Sequence, residues 1–228
     1  MYILEWDSKF WDFDIFHLDV SKSFEIDLPN NDNFIIQSLC DIRDYKVINK
    51  LENDGFLFKE SKINLVKTDF YSNKKENKNF KNLSIGDLED IKNNLFDLFG
   101  SNSRFNIFPD QKVNDFYYTW LKNSVIGKMD DACIGFFDNN KLAGFVSYRV
   151  RGSQFSIGLL GVLPDYQGKG ISQMLLEYMD SIAIENKSKN ISISTQGTNI
   201  NAINAYIKNG FKIVSIKHWY YYIKGEPK

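Results

Sequence analysis

Apolar positions along the 228-residue chain change period repeatedly, and each change marks a predicted element. SIGDLEDIKNNLFDLF places Leu88, Ile91, Leu95 and Phe99 at helical spacing, with Ser84 or Asp87 able to cap. KVNDFYYTWLKNSV repeats the pattern through Val113, Phe116, Tyr117, Trp120 and Leu121. ACIGFFDNNKLAGFVSYRV is two apolar runs about Asn139-Asn140, which predicts a hairpin. QFSIGLLGVL predicts another strand, where Gly158 and Gly161 mark a bulge or a close backbone approach. A helix from Gly170 puts Ile171, Met174, Leu175, Tyr178, Met179 and Ile182 on one face. NISISTQG predicts a strand, NINAINAYIKNG a helix stopped by Gly210, and FKIVSIKHWYYYI a final strand. The order α-α-β-β-β-α-β-α-β predicts an α/β fold, a mixed sheet with helices on both faces.

The first 70 residues carry a fainter copy of that ending. FIIQSLC predicts a strand, DYKVINKLENDG a helix and FLFKESKINLVK a strand. INKLENDGF (Ile48 to Phe56) and INAYIKNGF (Ile203 to Phe211) share Ile-Asn, Asn and Gly-Phe at the same offsets. This is an internal half-repeat, although a helix ending in Gly before a strand gives a similar pattern. SNKKENKNFKN, residues 72–82, is polar and lysine-rich and predicts a solvated linker. The expected organisation is an N-terminal segment 1–71, a linker 72–82 and a main domain 83–228.

The formal net charge of −1 offers no basic field for nucleic acid or an acidic membrane. No apolar run is long enough to span a bilayer. The N-terminal MYILEWDSKF carries acids where a secretory leader needs a basic and then an apolar run, so the cytoplasm is the expected compartment. Cys40 and Cys133 make no disulfide framework and predict small core residues. His17 and His218 lie at no metal-ligand spacing, so no metal site is expected.

VLPDYQGKGISQML, residues 162–175, sets Gly168 and Gly170 one residue apart at the mouth of an apolar helix. A helix N-terminus leaves backbone N–H groups unpaired and partly positive, and a phosphate satisfies both conditions. Glycine removes the Cβ atoms that would hold the anion away, and Lys169 adds a cation. The segment therefore has the makings of a diphosphate cradle, with a plain glycine loop as the alternative. It is no P-loop, because the lysine lies between the glycines, and no dinucleotide fingerprint, because Gln173 stands where a third glycine belongs.

VLPDYQGKGISQMLL resembles the acetyl-CoA loop of the GCN5-related N-acetyltransferases, Gln/Arg-x-x-Gly-x-Gly/Ala, filled here by Gln167, Gly170 and Ser172. Ser172 departs from the usual glycine or alanine. NINAINAYIKNGF resembles that family's second motif, with Asn199, Ala202, Tyr206, Gly210 and Phe211 in place. The two motifs cover the chain from about residue 83 onward. LEWDSKFWDFD, DGFLFKESKINL, SRFNIFPD, FYYTWLKNSVIGK, STQGTN and HWYYYIK extend the similarity toward the family's dTDP-fucosamine acetyltransferases. Those acetylate a 4-amino-4,6-dideoxy sugar on a nucleotide, for cell-surface polysaccharide.

The resemblance implies a mostly antiparallel sheet, splayed at the acetyl-CoA site, and direct transfer to an amine. It implies that the amides of Gln167, Gly168, Lys169, Gly170, Ile171 and Ser172 take the diphosphate, and that Leu160 and Val162 offer edge groups to the pantetheine arm. Asn199 would hold that arm or cap its helix, or do both. Tyr206 would protonate the departing thiolate, where spacing alone favours a core aromatic. Glu60 would be the base, directly or through water, and otherwise an exposed strand carboxylate. Arg104 would pair with the nucleotide diphosphate or be a surface arginine. Trp6, Phe10 and Trp11 favour a core role over stacking on a base. Cys133 has no neighbouring histidine and makes a poor acyl carrier. The alternatives are a different amine acceptor (a peptide N-terminus, a polyamine or an aminoglycoside) and a non-catalytic acyl-CoA-binding regulator. A homodimer is compatible with the sequence.

Overall fold

The computed structural model describes residues 1–21, 26, 28–71, 78–100 and 103–227. Strands β1 (Tyr2–Ile3), β2 (Asp14–Leu18), β3 (Phe34–Asp41), β4 (Leu57–Lys67), β5 (Phe80–Asn82), β6 (Ala132–Asp138), β7 (Lys141–Arg151), β8 (Gln154–Val162), β9 (Asn190–Gln196) and β10 (Lys212–Lys224) form one sheet. Its order is β1-β2-β3-β10-β4-β9-β8-β7-β6-β5. Among the described residues only β2–β3 and β8–β9 pair in parallel. Helices α1 (Glu5–Trp11) and α3 (Asp110–Val125) contribute to the core on one face. Helices α4 (Ile171–Glu185) and α5 (Ile200–Lys208) cover the opposite face, which α2 (Tyr45–Asn53) extends.

The expected hairpin forms between β6 and β7. Asn139 (φ 49°) and Asn140 (φ 62°) both adopt the left-handed conformation that a two-residue hairpin turn of this twist requires. The helix expected over residues 84–99 does not run through. Ile85–Ile91 is a tight 3₁₀ segment and Phe96–Gly100 a single wide turn. Asn114 of α3 causes the break. Its Oδ1 accepts the N–H groups of Leu95 (3.1 Å) and Phe96 (3.0 Å), and its amide donates to the Lys92 carbonyl at 2.8 Å. A buried side chain thereby takes backbone bonds that a continuous helix would have made.

The half-repeat is also spatial. β3-α2-β4 and β9-α5-β10 are split β-α-β units that interlock, because β10 lies between β3 and β4 while β4 lies between β10 and β9. Gly55 (φ 87°) and Gly210 (φ 88°) end the two helices, and buried Phe56 and Phe211 follow them. Residues 1–71 therefore precede the main domain in the chain but share its sheet. Residues 80–82 of the expected linker form edge strand β5 against β6, and 72–77 lie outside the described residues. Both cysteines are buried, as their core reading requires; burial holds the Cys40 thiol up to about 11 and that of Cys133 higher.

A bulge in β8 sets up the site. Val146 pairs with Leu160 and Tyr148 with Ile157, so Gly158 and Leu159 together oppose Ser147. The extra residue exchanges the two faces of the strand. Phe155 and Ile157 pack with the α4–α5 side, Leu159 with the α3 side, and Leu160 and Val162 again with the α4–α5 side. A Cβ at residue 158 would lie 2.6 Å from Asp130 Oδ2 and 2.8 Å from Ser147 Oγ. Gly158→Ala should therefore lower stability by about 1–3 kcal/mol, measured by urea unfolding. An unchanged midpoint would show that the bulge has room for a methyl group.

Candidate active site

β8 and β9 are paired at Gln154–Asn190, Phe155–Ile191 and Ser156–Ser192. Past Ser156 they part, although β8 runs on to Val162 and β9 to Gln196. Each keeps its other neighbour, β7 for β8 and β4 for β9. Leu159 donates its N–H to Ser147 Oγ (2.9 Å) and Leu163 to the Ala143 carbonyl (2.9 Å), both toward β7. Alternation along the strand then turns the backbone groups of Leu160 and Val162 into the gap. Gln167 Nε2 donates to the Val162 carbonyl at 3.1 Å.

A cleft of about 1250 Å³ passes through this gap and is lined from both sides of the sheet. One end is the turn before α4. Gly168 (φ 75°) and Gly170 (φ 78°) are both left-handed, and a Cβ at either would meet nothing within 4 Å. Among the described residues no protein acceptor takes the N–H groups of Gly168, Lys169, Gly170, Ile171 or Ser172. The amide of Gln167 is used, donating to the Pro164 carbonyl at 3.2 Å. The row of free donors thus begins at residue 168, one position later than expected. Lys169 does not line the cleft; its Nζ sits 4.9 Å from the Tyr166 ring centroid.

Residues 93–211 match the model of the acetyltransferase (GNAT) family. The chain belongs to the GNAT family. Streptothricin acetyltransferase from Escherichia coli is 31% identical over 88 residues, 38% of this chain and 51% of that protein. The chain thus matches about half the length of this curated relative. Among solved structures, the GCN5-related N-acetyltransferase from Sphaerobacter thermophilus superposes with a TM-score of 0.58 at 13% identity, covering 86% of this chain and 61% of that one. PaiA N-acetyltransferase from Thermoplasma acidophilum, solved in complex with coenzyme A, gives 0.50 at 18% identity, covering 61% and 96%. These likenesses show the GNAT fold.

On the α5 side of this GNAT cleft stand Asn199 and Tyr206. Asn199 caps α5, its Oδ1 accepting from the Ala202 N–H at 3.1 Å, so the structural half of its expected role is present. Tyr206 is buried within the α4–α5 core cluster, as its core reading requires, and also lines the cleft. Burial alone raises its phenol pKa, and the hydroxyl keeps its proton at neutral pH.

On the other side stands Glu60. A bulge at Lys59 aims it: Phe58 pairs with Tyr220 and Glu60 with Trp219. Its Oε2 accepts the backbone N–H of Arg104 at 2.8 Å. Burial raises its carboxyl pKa, against the lowering effect of that bond and of the Arg104 and Lys62 charges. Glu60 is therefore no exposed strand carboxylate. Arg104 is no free surface fork either. Its guanidinium lies 4.2 Å from the Phe105 ring centroid and 4.0 Å from that of Trp219, and its Nη1 donates to Gln37 and Tyr221. Trp11 is fully buried against Phe105, Phe108 and Phe116, whereas Trp6 is 45% exposed and lines the cleft.

Lys62, Trp219, Asp7 and Asp97 also line the cleft and were not foreseen. Lys62 carried a usable signal, since it stands two positions after Glu60 on the same strand face. Burial and the charges of Arg104 and Lys217 lower its pKa. Asp7 sits on α1, whose seven residues are too few for a clear period.

Proposed function

We propose that the chain is an acetyl-CoA-dependent N-acetyltransferase that passes acetyl directly to a primary amine of a small molecule. The parting of β8 from β9 beside a turn of free amides carries this reading. The amides of residues 168–172 suit a diphosphate, and the edge of Leu160 and Val162 suits the amide-bearing arm and the thioester oxygen. Asn199 keeps its side-chain amide for the same arm. Acetyl-CoA supplies the acetyl group; the chain supplies position and proton transfer. Glu60 takes the amine proton, directly or through water, and its raised pKa brings it nearer the amine's. Tyr206 holds a proton for the departing sulfur. Buried Cys133, with its raised pKa, has no place in the transfer.

The acceptor enters between Trp6 and Trp219, in a mouth lined by the acids Glu60, Asp7 and Asp97 and the bases Lys62 and Arg104. A nucleotide-linked 4-amino-4,6-dideoxy sugar fits this mouth through Lys62, because Arg104 is held by Gln37 and Tyr221. The streptothricin acetyltransferase relative favours a second reading, streptothricin or another amine that, when protonated, is drawn by the three carboxylates. Thiol release from acetyl-CoA with each acceptor decides between them. Turnover with neither, while a peptide N-terminus is acetylated well, would sink both.

Tyr206→Phe should lower kcat by roughly 10²-fold and leave the KM for acetyl-CoA within about 2-fold. Full activity would remove the acid role. For wild type, kcat/KM should rise with pH through the raised pKa of Glu60, because only the carboxylate accepts a proton. Glu60→Gln should lose that limb and about 10²-fold in rate. A limb that survives the substitution would assign it to another group.

A further inference from the structure

Asp130 lies outside the cleft lining, yet it is 5% exposed and tied to the strand on which the cleft depends. It sits in the loop between α3 and β6. Its Oδ2 accepts from Ser124 Oγ at 2.7 Å and from Ser147 Oγ at 2.6 Å. Ser147 Oγ in turn accepts the N–H of Leu159 at 2.9 Å. The other oxygen, Oδ1, lies 3.5 Å from Arg149 Nη2, which also donates to the Met129 carbonyl. Ser124 and Ser147 are fully buried. The bulge thus ends in a relay from a backbone N–H through a serine hydroxyl to a carboxylate, with no water needed.

The place of this relay gives it meaning. Gly158 and Leu159 are the bulged pair, and the last β8–β9 pair, Ser156–Ser192, lies just before them. Without the bulge, Leu160 and Val162 would fall out of phase with Phe155, whose carbonyl faces β9, and with Ile157 along an unbroken alternation. Their backbone groups would then turn toward β7 instead of the gap. A bulge sheds a ladder bond, and Ser147 replaces it only while its own proton has an acceptor. Asp130 is that acceptor.

We propose that Asp130 is a positioning residue for acetyl transfer: through Ser147 it fixes the β8 bulge, and so aims the open edge of Leu160 and Val162 at the acyl group. This rests on the acetyltransferase reading above. The amides of residues 168–172 lie on a separate turn and do not depend on it.

Asp130→Ala should therefore lower kcat by about 30-fold or more and leave the KM for acetyl-CoA within about 3-fold. Asp130→Asn should recover kcat to within about 3-fold of wild type, because its side-chain oxygen still accepts from both serines. Ser147→Ala, which keeps the carboxylate, should match Asp130→Ala, and the double variant should be no worse than either. Should Asp130→Ala fail to fold, Ser147→Ala and Asp130→Asn carry the test. Equal losses in the Asn and Ala variants, additive losses in the double variant, or a rise in KM with kcat unchanged would overturn the proposal. Amide exchange separates it from the acetyltransferase reading. Without any substrate, the Leu159 N–H should be protected in wild type and in Asp130→Asn but exchange about 10-fold faster or more in Ser147→Ala. If wild type acetylates no amine, the functional reading fails. Unchanged Leu159 exchange would instead remove the clamp whatever the activity.

Discussion

The structure turns on a parallel strand pair that stops pairing after three residues. Among the described residues, each strand then carries backbone donors and acceptors on one side that no neighbouring strand pairs, although the Gln167 side chain meets the Val162 carbonyl. A buried polar backbone group left unmet costs about 1–3 kcal/mol, so such an edge persists only where water or a ligand can meet it. Everything else about the cleft serves that gap. β4 and β7 hold the two parted strands from outside, the β8 bulge turns Leu160 and Val162 inward, and a second set of free amides waits at the start of α4. Two rows of unsatisfied groups in one cleft describe a ligand that is anionic at one end and amide-like along its length.

The donor half of this arrangement was legible in the sequence because it is local. Gly168 and Gly170 need left-handed φ, and Asn199 needs to cap; each leaves a mark within a few residues. The Asn139-Asn140 turn is legible for the same reason. The broken helix at 84–99 was not, because Asn114, some twenty positions later, takes its backbone bonds. The free amide count was overestimated by one, because a 3₁₀ turn at Pro164–Tyr166 consumes the Gln167 N–H.

The half of the cleft proposed for the acceptor is assembled from distant parts. Glu60 and Lys62 come from β4, Arg104 from the loop before α3, Trp219 from β10, and Trp6 and Asp7 from α1. The family match begins at residue 93, so Glu60, Lys62, Trp6 and Asp7 all lie outside it. The interlocked β-α-β units explain how an N-terminal segment nonetheless reaches the site. By flanking β10 and pairing with β9, β4 carries Glu60 and Lys62 to the mouth of the gap. The backbone of Arg104 then pins the Glu60 carboxylate while its guanidinium stays stacked between two rings. The turn of free amides and the open edge of β8 thus lie within the family match, while Glu60, Lys62, Trp6 and Asp7 of the same cleft lie outside it.

The most direct test of the open edge is an amide NMR titration of the full chain with coenzyme A. The account predicts the largest shifts at Leu160, Val162 and residues 168–172, with the paired amides of Gln154–Ser156 little changed. Tight binding that leaves those amides unmoved, or shifts confined to another face of the sheet, would contradict it.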